Sequence, residues 1–137
     1  MIINYIKMYL VTFIIFFVID LIWIGFIATN IYKKHIGHLL LENPNLFPAF
    51  IFYALYVLGL LFFVINPALE KQSLKEVLIS GMFFGLICYS TYDLTNLATL
   101  KNWSTFITII DILWGTFLGG FVSLSSYFII NKIVVFK

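Results

Sequence analysis

Phe106–Ile130, FITIIDILWGTFLGGFVSLSSYFII, decides the architecture. It carries one charge, Asp111, and no proline. A helix needs about 20 mainly apolar residues to cross the hydrocarbon core of a bilayer. This stretch has them. Its serines, threonines and glycines are the small residues that let membrane helices approach closely.

Three further stretches read the same way: Met8–Ala28, Phe47–Leu69 and Val77–Leu100. Polar, turn-like strings separate them: Glu42-Asn43-Pro44-Asn45, Glu70-Lys71-Gln72-Ser73 and Lys101-Asn102-Trp103-Ser104. The last two are tight, so the second and third spans, and the third and fourth, are expected to be antiparallel neighbours. Ile31–Leu41, in the longer first connection, is a short interfacial helix or an extension of the first span. The expected fold is all-α and integral to the membrane: one domain over residues 1–137, a four-transmembrane-helix bundle.

Composition agrees. Of 137 residues, 63% are hydrophobic and 10% charged, too apolar for a soluble domain of this size. The eight basic residues are all lysine, which supplies neither a basic surface for nucleic acid nor a guanidinium fork for phosphate. The single Cys88 excludes an internal disulfide and a cysteine zinc cluster. Met8–Ala28 is longer than the core of a signal peptide (about 7–15 residues) and has no small-residue cleavage site after it, so it reads as a retained span. Four spans put both termini on one side, with Lys7, Lys71, Lys75, Lys132 and Lys137. Lys33, Lys34 and Lys101 fall on the other. This bias favours cytoplasmic termini.

Half of the acidic residues lie inside the spans: Asp20, Asp93 and Asp111. Charge at bilayer depth is costly and faces a bundle interior or a watery cavity. At a rise of ~1.5 Å per residue, Asp20 is about 12 Å, Asp93 about 10 Å and Asp111 about 8 Å from the outer ends of their spans. The three carboxyls are therefore expected at one level in the outer half. On the third span Tyr89, Tyr92, Asp93 and Asn96 share an arc of about 100°. Asp111, Gly115 and Gly119 share a face of the fourth, and Gly81 and Gly85 one of the third. Tyr53 and Tyr56 reach a similar depth on the second. Asp20-Leu-Ile-Trp23 and Asp111-Ile-Leu-Trp114 repeat one D-x-x-W pattern, read as convergent packing in preference to an inverted repeat.

The string Tyr89–Leu100, YSTYDLTNLATL, with Asp111–Gly115 (DILWG), Asp20–Gly25 (DLIWIG) and Gly37-His38-Leu39, resembles a bacterial membrane-protein family, domain-of-unknown-function family 2177. The likeness runs through essentially the whole chain. It implies a small four-span protein of the bacterial inner membrane and brings no established activity.

The residues nominate one site for a small ligand, cation or proton: Asp20, Trp23, Tyr92, Asp93, Asn96, Asp111 and Trp114, with His38. His35 and His38 share a face if Ile31–Leu41 is helical, but no metal-ligand string accompanies them, and no metal or cofactor is expected. Transport, as a carrier or a carrier subunit, is the first reading; with so few spans it favours a homodimer. A membrane-embedded enzyme or accessory factor acting on lipid, with aspartate as general acid or base, is the second. A purely structural or regulatory bundle is the third. The expected partners are the bilayer and an unidentified small ligand or lipid, not nucleic acid.

Overall fold

A computed structural model describes residues 1–134; Lys137, counted in the charge balance, lies outside them. Four long apolar helices are present among the described residues: α1 (Ile2–Leu39), α2 (Leu46–Lys71), α3 (Leu74–Thr99) and α4 (Thr105–Ile133). Each is long and apolar enough to span a membrane. The end of the bundle bearing the turns between α1 and α2 and between α3 and α4 is called distal below.

Local chemistry sets the helix ends. Asn45 accepts a hydrogen bond from the Phe47 N–H at 3.2 Å and caps α2. Ser73 accepts from the Glu76 N–H at 3.2 Å and caps α3. Ser104 accepts from the Ile107 N–H at 3.3 Å and caps α4. Such oxygens satisfy N–H groups that have no partner inside the helix. At the other end of α2, Gln72 turns left-handed (φ 51°), and the Gln72 and Ser73 N–H groups fold back onto the Leu69 and Ala68 carbonyls. Asn102 (φ 61°) makes the tight turn between α3 and α4; asparagine is among the few residues that visit this region readily.

Two helices contain a π-helical turn. In α2 it covers Leu61–Ile65, just before Pro67. A proline inside a helix has no N–H for the carbonyl four residues back, and a widened turn absorbs the misfit. In α1 it covers Trp23–Ala28, where the Thr29 hydroxyl donates to the Ile24 carbonyl at 2.6 Å. Helix α1 then continues through Thr29–Ile36 and a 3₁₀ turn at Gly37–Leu39. The segment after the first apolar stretch is thus an extension of the first span.

The closest pair is α3 and α4. A Cβ on Gly85 would strike the Gly115 carbonyl, and one on Gly81 would sit 2.6 Å from the Gly119 carbonyl oxygen. The two backbones meet directly, so the sequence's glycine faces are used within the bundle. Helix α1 packs on α4 and α2, and α2 approaches α3 chiefly through Leu61–Ile65. The buried core centres on Phe16, Tyr56, Leu60, Val64, Leu118 and Val122. Outward positions remain apolar: Phe26, Phe47 and Phe62 are 80%, 73% and 71% exposed. A surface of this kind suits lipid and not water.

Candidate functional site

All three intramembrane aspartates are buried, Asp93 completely. They occupy two adjoining environments.

Asp20 accepts a hydrogen bond from the Tyr53 hydroxyl of α2. The Trp114 indole N–H of α4 also points into its neighbourhood. Trp114 is one turn from Asp111 on the side away from the distal end. Asp20 therefore lies about one turn, or ~5 Å, deeper than the other two acids. The expected single level becomes two levels on the same side of the bundle. The reason is that depth counted from hydropathy starts at Ala28, whereas α1 runs on to Leu39.

Asp93 and Asp111 are neighbours across the glycine contact of α3 and α4, close enough for their carboxyls to interact. Asp111 also accepts from the Tyr32 hydroxyl. Among the described residues, no N–H or hydroxyl donor reaches either carboxyl oxygen of Asp93. A hydrogen bond between two carboxyl groups requires a proton on one of them, because an ionised carboxylate only accepts. Asp20 lies close enough to act electrostatically on Asp111.

An indole pair joins the two levels. Trp23 and Trp114 stack with ring centroids 4.3 Å apart and planes 6° from parallel. The repeated D-x-x-W pattern thus brings its two tryptophans together from antiparallel helices. The Trp23 N–H lies near Tyr32. Both indole N–H groups are buried and complete no hydrogen bond.

Among the described residues, the other nominated side chains make no hydrogen bond to the acids, although Tyr92 lines a cavity with Asp111. Tyr92 is 58% exposed and packs edge-on against Trp103 at 5.8 Å. Asn96 is half-buried and sits beside Tyr92. His38 is exposed on the 3₁₀ turn that ends α1. His35 stacks on Phe106 with centroids 4.6 Å apart. Among the described residues no group of three metal-ligating side chains gathers.

The polar string on α3 divides cleanly. Thr91 and Thr99 donate to the carbonyls of Ile87 and Thr95 at 2.7 and 2.8 Å, and Thr95 donates to that of Thr91. These three hydroxyls lie on an exposed face and are satisfied by their own helix. Of the YDLTN run, only Asp93 is fully buried.

Tyr32 is the residue that face analysis misses. On a regular helix it lies about 120° around from Asp20. The π turn at Trp23–Ala28 takes up one extra residue and reduces that offset to about 20°. The bulge is what turns Tyr32 onto the acid-bearing face. The only sequence signal for it is Gly25 in an otherwise apolar run, too slight to place a bulge.

Asp111 also lines a cavity of about 570 Å³ between the distal halves of α2 and α3. Its walls are Pro48, Ala49 and Phe52 of α2 and Cys88, Tyr89 and Tyr92 of α3. Below it the two helices close through Tyr56, whose ring lies 5.4 Å from Phe84 and 6.4 Å from Tyr89.

The two tyrosine donors make a stability prediction. Tyr53→Phe removes the hydroxyl that Asp20 accepts and should cost about 1–3 kcal/mol. Tyr92→Phe touches no acid and should be near neutral. Thermal unfolding in detergent reads both; equal shifts would contradict the placement of Tyr53.

A family model described as "Predicted membrane protein (DUF2177)" matches residues 5–128, nearly the whole chain. No curated protein and no solved structure matches it.

Proposed function

The chain belongs to the DUF2177 family of predicted membrane proteins, and from that premise we propose that its Asp93–Asp111 pair binds a proton or a cationic group inside the membrane. The observation that carries this reading is Asp93: completely buried, with neither oxygen reached by an N–H or hydroxyl donor among the described residues. Leaving a buried acceptor unmade costs about 1–3 kcal/mol, which an acid kept for packing alone has no reason to incur. Asp20, supplied by Tyr53, is in this reading a scaffold acid that fixes α1 against α2. The structural alternative describes Asp20 well and Asp93 poorly.

The carboxyl pair, the phenol of Tyr32 and the cavity beside them suit a small carrier or a carrier subunit. Four spans are few for a carrier acting alone, so transport entails two copies. The glycine faces of α3 and α4 are occupied by each other, so a dimer would form through another surface. The lysine bias supports cytoplasmic termini, and the family likeness supports placement in the bacterial inner membrane. Reporter fusions check this: a fusion at Gln72 should signal cytoplasm, and fusions at Asn43 and Asn102 should signal periplasm. A periplasmic signal at Gln72 would reverse the orientation.

The site itself is tested with dicyclohexylcarbodiimide, an apolar reagent that adds to protonated carboxyl groups in membranes. Mass spectrometry should find the adduct on Asp111 or Asp93, with labelling that falls as pH rises and the shared proton leaves. Labelling confined to Glu42, Glu70 and Glu76, which lie in the first connection and at helix ends, at every pH would overturn the proposal.

A further inference from the structure

The cavity beside Asp111 has a composition that the carboxyl pair alone does not require. Pro48, Ala49 and Phe52 present only carbon on the α2 side, and Cys88 and the rings of Tyr89 and Tyr92 face them from α3. Among the described residues no lysine or histidine lines it, and its one charged group is Asp111. It lies between neighbouring helices that meet lower down, through Leu61–Ile65 and Tyr56, and part above that level. A gap between adjacent helices at the perimeter of a bundle faces the bilayer. The far wall is α4, which carries Asp111 and stands against the unpartnered, fully buried Asp93.

We infer that this wedge admits a lipophilic ammonium, an amine charge on an apolar body, sideways from the bilayer, with its N–H groups directed at Asp111 and Asp93. This rests on the reading of the pair as a cation or proton site and names the class of cation. The chemistry is complementary at both ends. An ammonium has up to three donors and no acceptor, and Asp111, which accepts one bond from Tyr32, keeps acceptor capacity beside the Asp93 oxygens that no donor reaches. The apolar body replaces lipid against Phe52, Ala49 and Pro48, which a hydrated inorganic cation or a small hydrophilic amine has no means to do. A neutral chain of the same length fills the walls but leaves the carboxyls unanswered. A volume of about 570 Å³ falls within the range of small-molecule pockets.

Cys88, the single cysteine, lines the wedge and reports on its occupancy. The experiment follows the rate at which membrane-permeant N-ethylmaleimide labels Cys88 in nanodiscs of phosphatidylcholine. Dodecylamine at saturation should slow labelling at least tenfold. Methylamine and dodecanol at the same concentration should slow it less than twofold. Asp111→Asn should abolish protection by dodecylamine. Native mass spectrometry of the unmodified protein, which needs no variant, should show the same order of retention. Equal protection by dodecanol would overturn the inference, because the carboxyls would then play no part. Equal protection by methylamine would overturn lateral entry of a lipophilic cation while leaving a cation site at the aspartates. Protection by none of the three, with no carbodiimide adduct on Asp93 or Asp111, would remove both readings.

Discussion

Gly85→Ala should lower the unfolding temperature of the detergent-solubilised protein more than any other single-methyl change in α3. The added Cβ would meet the backbone of Gly115, which has no rotamer to move away. Overpacking of this kind costs about 1–3 kcal/mol, and backbone collision lies at the upper end. Alanine is the better helix former by about 1 kcal/mol, so the net loss should be about 2 kcal/mol. Gly25→Ala is the control. No atom lies within 4 Å of the position its Cβ would take, so the variant should be neutral or slightly stabilised. Because Asp93 and Asp111 are neighbours across this same contact, Gly85→Ala should also weaken carbodiimide labelling of the pair. A Gly85→Ala protein as stable as Gly25→Ala would mean that α3 and α4 do not meet through their glycines.

The second large effect separates Asp93 from Asp20. Asp93→Leu removes a buried carboxyl that no N–H or hydroxyl donor among the described residues reaches and leaves Asp111 its Tyr32 donor, so it should hold or raise the unfolding temperature. Asp93→Asn should be at least as stable as the parent, since its amide can donate to Asp111. Both variants should lose protection of Cys88 by dodecylamine. Asp20→Leu should behave in the opposite way. It strands the Tyr53 hydroxyl and takes away the group nearest the Trp114 N–H, at about 1–3 kcal/mol for each donor left unmet. Thermal unfolding beside the Cys88 labelling assay distinguishes the two acids. Destabilisation by Asp93→Leu equal to that by Asp20→Leu would make Asp93 a packing residue and take away the main support for a functional carboxyl.

The four spans were legible because hydropathy over some 20 residues is a strong signal and the caps at Asn45, Ser73 and Ser104 are short polar punctuation between them. The burial of the aspartates was legible for a related reason: charge in an apolar run has to turn inward. Gly81 and Gly85, like Gly115 and Gly119, were legible as close-approach faces because small residues four apart allow it, but whether they meet each other or a second copy was not. Position around a helix was less legible. A face computed at 100° per residue holds only while the helix stays regular, and the π turn at Trp23–Ala28 breaks that condition. Tyr32 was lost for this reason, and the depth of Asp20 was misjudged because α1 outlasts its apolar run. Tyr92 and Asn96 sit next to Asp93 in sequence and share its arc, yet arc alone does not say which edge of the arc meets a neighbour. The close α3–α4 contact takes in the glycines, the Tyr89 ring against Gly115 and Asp93, while Tyr92 meets Trp103 and the edge of the cavity that Asp111 lines. The cavity between α2 and α3 was not legible at all, since it depends on how far two helices diverge.

The most direct test of a functional Asp93–Asp111 pair is an experimental density map of the protein in a lipid nanodisc, at a resolution that shows ordered water. The account predicts density between the two carboxyls and the α2–α3 wedge, from a bound cationic group or from water completing the Asp93 oxygens. A dry, closed wedge with a tyrosine or tryptophan donor turned onto Asp93 would contradict it.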